Sequence, residues 1–242
     1  MTRYHLRIAT SAEDLARQAA ELVAAQIDLA LAQRDRAQIA LAGGQTPRNA
    51  YSHLGAEHLP WERVDVLLGD ERWVPADDPA SNARMIAETL LAQAPARSAA
   101  FHPVPTALDT PEASASAYAA LLAELCPGQP PVFDLILLGL GDDGHTASLF
   151  PGSPALAERD RSVTLGEGKG LPRITFSAPV LCAARQVIFL VSGSGKRQAL
   201  ERLFASQEPV ERTPARLVRP RSEVLILADA DAAEGLPECC EA

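Results

Sequence analysis

Basic residues are the first shortage in this chain: 22 Lys and Arg stand against 31 Asp and Glu, a formal net charge of -9. A nucleic-acid backbone demands a broad basic face, so a nonspecific nucleic-acid partner is excluded, while a few convergent cations can still reverse the field around a small anion. Cysteine is scarce too. Cys126, Cys182, Cys239 and Cys240 form no CxxC pair and are too few to organise 242 residues, so the first two are expected as buried thiols and the last two as a tail feature. Long apolar runs are missing: the opening MTRYHLRIATSAEDLARQ lacks the hydrophobic centre of a signal peptide, and residues 13–33 are broken by charged and amide groups. The expectation is a cytoplasmic protein with no membrane partner. HExxH, EF-hand spacing, GxSxG and a Walker GK[ST] are all absent, which removes the signatures of a metal site, a serine nucleophile and a P-loop, and the 43–47 loop is too short for a Walker loop and carries no GxGxxG.

What the chain does have is a repeated change from apolar strand to polar, glycine-bearing loop. Residues 133–138 are almost wholly apolar, as a strand buried on both faces of a parallel sheet must be, and they run straight into Gly139, Gly141, Asp142, Asp143, Gly144 and His145. Residues 38–42 end in Gly43, Gly44, Gln45, Thr46 and Pro47, with proline suited to the first turn of the next helix and the free amides of that turn suited to an anion or polar oxygen. Residues 64–68 end in Gly69, Asp70, Glu71, Arg72 and Trp73, and residues 187–191 in Ser192, Gly193, Ser194, Gly195 and Lys196, the lysine one turn into a predicted helix. Further strands are predicted over 4–9, 101–104, 173–176 and 224–227.

Helices fill the intervals. Ser11 is placed as an N-cap with Asp14 three residues on, followed by a stripe of Leu15, Ala19, Leu22, Val23, Ile27 and Ala30. Ser81, or Asp77 and Asp78, caps a helix carrying Asn82, Met85, Ile86 and Leu90. Another helix spans 112–125, a helical turn is expected over 146–150, and Asp229 is placed as the cap of a terminal helix. This alternation predicts an α/β fold with a mainly parallel, Rossmann-like sheet and helices on both faces, without a dinucleotide-binding fingerprint. Residues 1–242 are expected to form one α/β domain, with or without a small lobe. Strand order is not legible.

In such a fold ligands sit outside the carboxyl ends of the strands, so the strand-end residues are the candidates. His145 is the only histidine in a polar strand-end loop. An imidazole accepts a proton from water near neutral pH, and a neighbouring carboxylate, Asp70 or Asp143, fixes its tautomer and stabilises its charged form. Arg72, Arg173 and Lys196 are cations able to hold an anion, so the set is consistent with attack of water on an anionic substrate. Ser148 is either a phosphate donor or a helix-capping hydroxyl.

Five blocks carry a resemblance: LAGGQTP at 41–47, GDERWVPADDPASN at 69–82, FDLILLGLGDDGHTASLFPGSP at 133–154, PRIT at 172–175 and VSGSGKRQAL at 191–200. Together they resemble the 6-phosphogluconolactonase family, within the wider group that includes glucosamine-6-phosphate deaminases. The resemblance implies hydrolysis of 6-phospho-D-glucono-1,5-lactone to 6-phospho-D-gluconate in the oxidative pentose phosphate pathway, without a cofactor or metal. It implies His145 as the base that activates water, Asp70 orienting His145 or substrate hydroxyls, and Arg72 holding substrate charge. By the same resemblance Arg173 and Lys196 clamp the phosphate, and Gly43, Gly44, Gln45 and Thr46 face the lactone oxygen. Gln45 stands where such loops often carry serine, Asp142 where glutamate is more usual, and 227–233 lacks a preceding tryptophan. A sugar-6-phosphate deaminase or isomerase is the main alternative, disfavoured by HTASLFPGSP at 145–154. A non-catalytic sugar-phosphate sensor is the second, disfavoured because 242 residues leave no room for an output module. A monomer is expected, with a homodimer as the alternative.

Overall fold

The computed structural model describes residues 3–168 and 170–236. In chain order its elements are β1 (Tyr4–Ala9), α1 (Ala12–Leu31), β2 (Ala37–Leu41), α2 (Gln45–Ala56), β3 (Val64–Leu68), β4 (Asp70–Arg72), α3 (Asn82–Glu88), β5 (Ala100–Phe101) and α4 (Pro111–Leu125). They continue with β6 (Leu135–Gly139), β7 (Val163–Gly168), β8 (Leu171–Phe176), α5 (Ala178–Ala183), β9 (Val187–Val191), α6 (Arg197–Phe204), β10 (Val224–Asp229) and α7 (Ala230–Ala233). The caps follow local chemistry. Ser11 accepts the N–H of Asp14 at the start of α1, Ser81 that of Arg84 in α3, and Asp229 that of Ala232 in α7.

Seven strands form the main sheet in the order β1-β10-β9-β6-β2-β3-β5, and every neighbouring pair is parallel. Every residue of β2, β3 and β9 is buried, which requires cover on both faces and explains why these strands are mostly apolar, apart from Gln38 and Asp65, rather than alternating. The order also locates a crevice. From β2 the chain moves through β3 to β5 on one side, then returns with β6 to the other side of β2 and continues towards β9 and β10. Loops leaving the carboxyl ends of β2 and β6 therefore diverge, and ligands bind at such a switch point.

A second, three-stranded antiparallel sheet, ordered β4-β8-β7, stands beside the first. Here the sequence expectations need correction. The charged segment after Gly69 is not a loop but β4, and residues 173–176 belong to β8 of this small sheet. β7 was not anticipated, because glycine and polar residues obscure its hydrogen-bonded alternation with β8. Residues 146–150 do not form a helical turn: Thr146 and Leu149 bridge across a tight turn, and Ala147 has φ 47°, left-handed backbone that a right-handed helix cannot contain. Lys196 closes a 3-10 turn over Ser194–Lys196 immediately before α6, instead of sitting one turn into it. Leu90 lies beyond the end of α3. Cys126 is free and buried, with burial pushing its thiol up to about 12; Cys182 is free and half-buried; Cys239 and Cys240 fall outside the described residues.

Candidate active site

The loops after β2 and β6 open on a cavity of about 340 Å³ at the switch point, lined by Gly43 to Thr46, Asp70, Arg72, Gly141, Asp142, His145, Arg173, Ser192 and Lys196, among others. Each contributor arrives by a different element. Gly44, at φ 113°, turns β2 into α2 in a conformation that a side chain would strain. β4 and β8 bring Asp70, Arg72 and Arg173 across from the small sheet, with Arg72 paired directly opposite Arg173.

His145 is held by its own loop. The backbone N–H of Gly141 donates to the His145 carbonyl at 2.8 Å, and Gly144 donates back to Gly141 at 3.0 Å, closing the loop on itself. Asp143 Oδ1 then accepts both the backbone N–H of His145, at 2.9 Å, and its Nδ1, at 2.6 Å. A Cβ on Gly141 would collide with the His145 ring and with Asp143 Oδ1, so glycine at this position is a steric requirement of the pair. Burial pushes the Asp143 carboxyl upward, but the hydrogen bonds and electrostatic attraction from His145 outweigh it and hold the group below the usual carboxylate range. An ionised Asp143 accepts from Nδ1–H, which leaves Nε2 of the neutral ring as the unprotonated, basic nitrogen.

The question of which carboxylate faces His145 thus resolves to Asp143. Asp70 is occupied elsewhere: its Oδ2 accepts from the Ser148 hydroxyl at 2.5 Å and lies 3.9 Å from Arg173 Nη1, while Asn82 Nδ2 approaches its Oδ1 at 3.4 Å. Ser148 is fully buried and does not line the cavity; with no helix following it, it caps none, and its hydroxyl serves Asp70.

Asn82 was named in the sequence only as a helix position, yet it organises the cation beside it. Its Oδ1 accepts from Arg72 Nη1 at 2.7 Å, its Nδ2 donates to the Asp70 carbonyl at 2.9 Å, and it packs where a Cβ on Gly43 would have to be. Glu71, buried beneath, accepts the N–H groups of Arg72, Asn82 and Ala83, so it anchors the start of α3. Burial pushes its carboxyl up, against those three bonds. Arg173 donates to the Gly168 carbonyl and lies over the Phe150 ring. After β9, Ser192 and the Gly193 N–H are tied to Asp229, which fixes the loop that presents Lys196. No signal short of the fold itself links Ser192 to Asp229, since 37 residues separate them. Among the described residues, no three His, Cys, Asp or Glu side chains converge as a metal ion would need.

Acid–base and cationic side chains delivered by loops to one edge of a covered parallel sheet are the arrangement of an α/β enzyme. The sequence then narrows the class: the model of the family described as Glucosamine-6-phosphate isomerases/6-phosphogluconolactonase matches residues 10–227, and the chain belongs to that family. It is 46% identical over 217 residues to a 6-phosphogluconolactonase of Synechocystis, covering 88% of this chain and 90% of the relative. A Nostoc 6-phosphogluconolactonase is 42% identical over 215 residues, with 88% and 90% covered. Among solved structures, the 6-phosphogluconolactonase of Trypanosoma brucei superposes with a TM-score of 0.87 at 33% identity, over 98% of this chain and 100% of that one.

Proposed function

We propose that this chain hydrolyses 6-phospho-D-glucono-1,5-lactone to 6-phospho-D-gluconate, the lactonase step of the oxidative pentose phosphate pathway. The observation that carries the proposal is the engagement of His145 Nδ1 by Asp143 beside a cavity with three cations on its walls. Nε2 takes a proton from water as its oxygen attacks the lactone carbonyl, and Asp143 stabilises the imidazolium that forms. The carbonyl oxygen becomes an oxyanion, for which the amides at the start of α2, in the Gly43 to Thr46 loop, are the assigned donors. Collapse of the tetrahedral species breaks the bond to the ring oxygen, which recovers the proton from His145. The ring opens to a carboxylic acid that ionises in water.

Lys196 and Arg173 are assigned to the phosphate, and Arg72 to substrate charge beside it. Phosphate held far from the reacting carbon supplies binding energy for orientation at that carbon. Asp70 is assigned to substrate hydroxyls and to Arg173 rather than to the base. A cytoplasmic location, consistent with the free thiols Cys126 and Cys182, and a monomeric state belong to the same proposal; among the described residues, no helix is long and apolar enough to cross a membrane.

The test couples freshly prepared lactone to proton release, corrected for spontaneous hydrolysis, for the parent protein and His145→Ala. The expected result is acceleration by the parent and its loss in the variant. Absence of acceleration by the parent defeats the activity, and full activity in His145→Ala defeats the base.

A further inference from the structure

Phe150 lies just beyond the catalytic loop and touches two of the residues that matter most. Its ring centroid is 4.4 Å from that of His145, at an interplanar angle of 36°. The guanidinium carbon of Arg173 stands over the same ring, 5.4 Å from its centroid. A third contact fixes the ring from behind: a Cβ on Gly168 would collide with Phe150 Cζ and Cε2, so bare backbone in β7 is what accommodates it. The ring therefore has little room to retreat from either partner.

Geometry gives this contact a task that Asp143 cannot perform alone. The bond from His145 Nδ1 to Asp143 holds one edge of the imidazole but resists rotation about its own axis only weakly; a packed face resists it directly. Aromatic faces are electronegative and attract cations, so the same ring favours the guanidinium of Arg173 and the protonated form of His145. We propose that Phe150 is a positioning residue for the reaction, bracing the His145 ring against Asp143, favouring the imidazolium that forms during catalysis, and holding Arg173 at the cavity wall. The proposal rests on the reading of His145 as the base.

Four replacements, two of them also combined in one double variant, test it in the proton-release assay, each with kcat and KM measured across the pH profile. Phe150→Leu keeps apolar bulk but loses the face. It is expected to lower kcat about fivefold, raise KM severalfold, and move the acid limb of kcat/KM about half a unit to lower pH. Replacement of Phe150 by 3,5-difluorophenylalanine keeps the shape and weakens the π charge, so it moves the acid limb in the same direction with a smaller loss of kcat. Gly168→Ala displaces the ring and lowers kcat when Phe150 is present. Combined with Phe150→Leu it costs less than about twofold more, because leucine stops short of the colliding atoms. His145→Ala is the fourth. An unmoved acid limb in both Phe150 replacements, or an equal cost of Gly168→Ala in the two backgrounds, overturns the positioning role while an inactive His145→Ala leaves the base in place. A fully active His145→Ala overturns the base, and this proposal with it.

Discussion

Asp143→Asn separates the two carboxylates that the sequence left equivalent. In the structure one oxygen of Asp143 takes both the Nδ1 and the backbone N–H of His145, at 2.6 and 2.9 Å. A charge-assisted hydrogen bond contributes about 1.5–3 kcal/mol against about 1 for a neutral one, and the imidazolium formed in the reaction loses its counter-charge as well. A loss near 2 kcal/mol in the transition state is roughly 30-fold in kcat. If the new amide turns its NH2 towards Nδ1, the tautomer inverts, Nε2 becomes protonated and the loss deepens. KM is expected to change by less than about threefold, because the cations are untouched. Asp70→Asn should show the opposite split, a larger rise in KM than fall in kcat, since Asp70 faces Arg173 and Ser148. The sign of the pH effect is also set. Asp143 is depressed in the folded protein, so its contribution is present above the ordinary carboxylate pKa and is lost only as pH falls through the lowered value. Without that counter-charge the acid limb of kcat/KM in Asp143→Asn should lie at lower pH than in the parent, so the deficit is largest at neutral pH and narrows towards acid. The coupled lactone assay measures all of this, with urea midpoints confirming that both variants fold. An Asp143→Asn enzyme within threefold of the parent in kcat, or an Asp70→Asn enzyme with the larger kcat loss, refutes the assignment.

Gly141→Ala inserts a Cβ into the His145 and Asp143 side chains, so kcat is expected to fall by about two orders of magnitude with KM little changed, read in the same assay. Asp65→Asn acts on stability alone: buried Asp65, near the start of β3 and so at the opposite edge of the sheet from the cavity, accepts from Arg36 through both oxygens and meets His102 Nε2 at 3.0 Å. Because Arg36 is 41% exposed, the cost is expected near 2 kcal/mol in a urea titration, below the ~3–5 kcal/mol of a fully buried pair, with kcat unchanged. Desolvation raises the Asp65 carboxyl, but Arg36 and His102 hold it below its ordinary value, so that stability is present above the unfolded pKa and disappears as pH falls through the depressed one. Cys126, raised to about 12 by burial, should resist alkylation at neutral pH until denaturant is added, as mass spectrometry of iodoacetamide-treated protein would show.

The legible part of the fold was the part written in local physics. β2, β3 and β9 announced themselves because strands covered on both faces must be predominantly apolar, and Ser11 and Asp229 marked helix starts because a side-chain oxygen there satisfies a free N–H. β4 and β7 were missed for the converse reason: their stability lies in pairing with β8, and Asp70, Glu71 and Arg72 have no intrinsic preference for a strand. His145 was visible as an imidazole in a glycine-rich strand end. Its partner was not, because Asp70 and Asp143 are separated from it by 75 and 2 residues in sequence, and only the turn that folds Asp143 back over Gly141 decides between them. Ala147, at φ 47°, shows the same limit: nothing in alanine foretells left-handed backbone, and the strain sits two residues from His145.

The pairing of Arg72 with Arg173 leads to the last prediction. Like charges directly across two antiparallel strands destabilise the pair, and here the repulsion adds to burial in lowering the Arg173 guanidinium, although Asp70 opposes both. Asp70 is already shared with the Ser148 hydroxyl, and the Arg72 head is held by neutral acceptors, Asn82 Oδ1 and the Ala80 carbonyl. Glu71 also offsets these guanidiniums, but both carboxylates are engaged elsewhere, Asp70 by Ser148 and Glu71 by three backbone N–H groups, so the two arginines are left able to receive a dianionic phosphate. Binding that favours only the folded state adds about 2.7 kcal/mol at a ligand concentration 100 times its Kd. 6-Phosphogluconate should accordingly raise the melting temperature by several degrees, and gluconate at equal concentration should not. In Arg173→Gln the relation inverts: removing one of the paired charges should raise the melting temperature of the ligand-free protein or leave it unchanged, while most of the shift produced by 6-phosphogluconate is lost. A ligand shift in Arg173→Gln equal to that of the parent would show that the paired guanidiniums at the β4–β8 mouth are not what receives the phosphate.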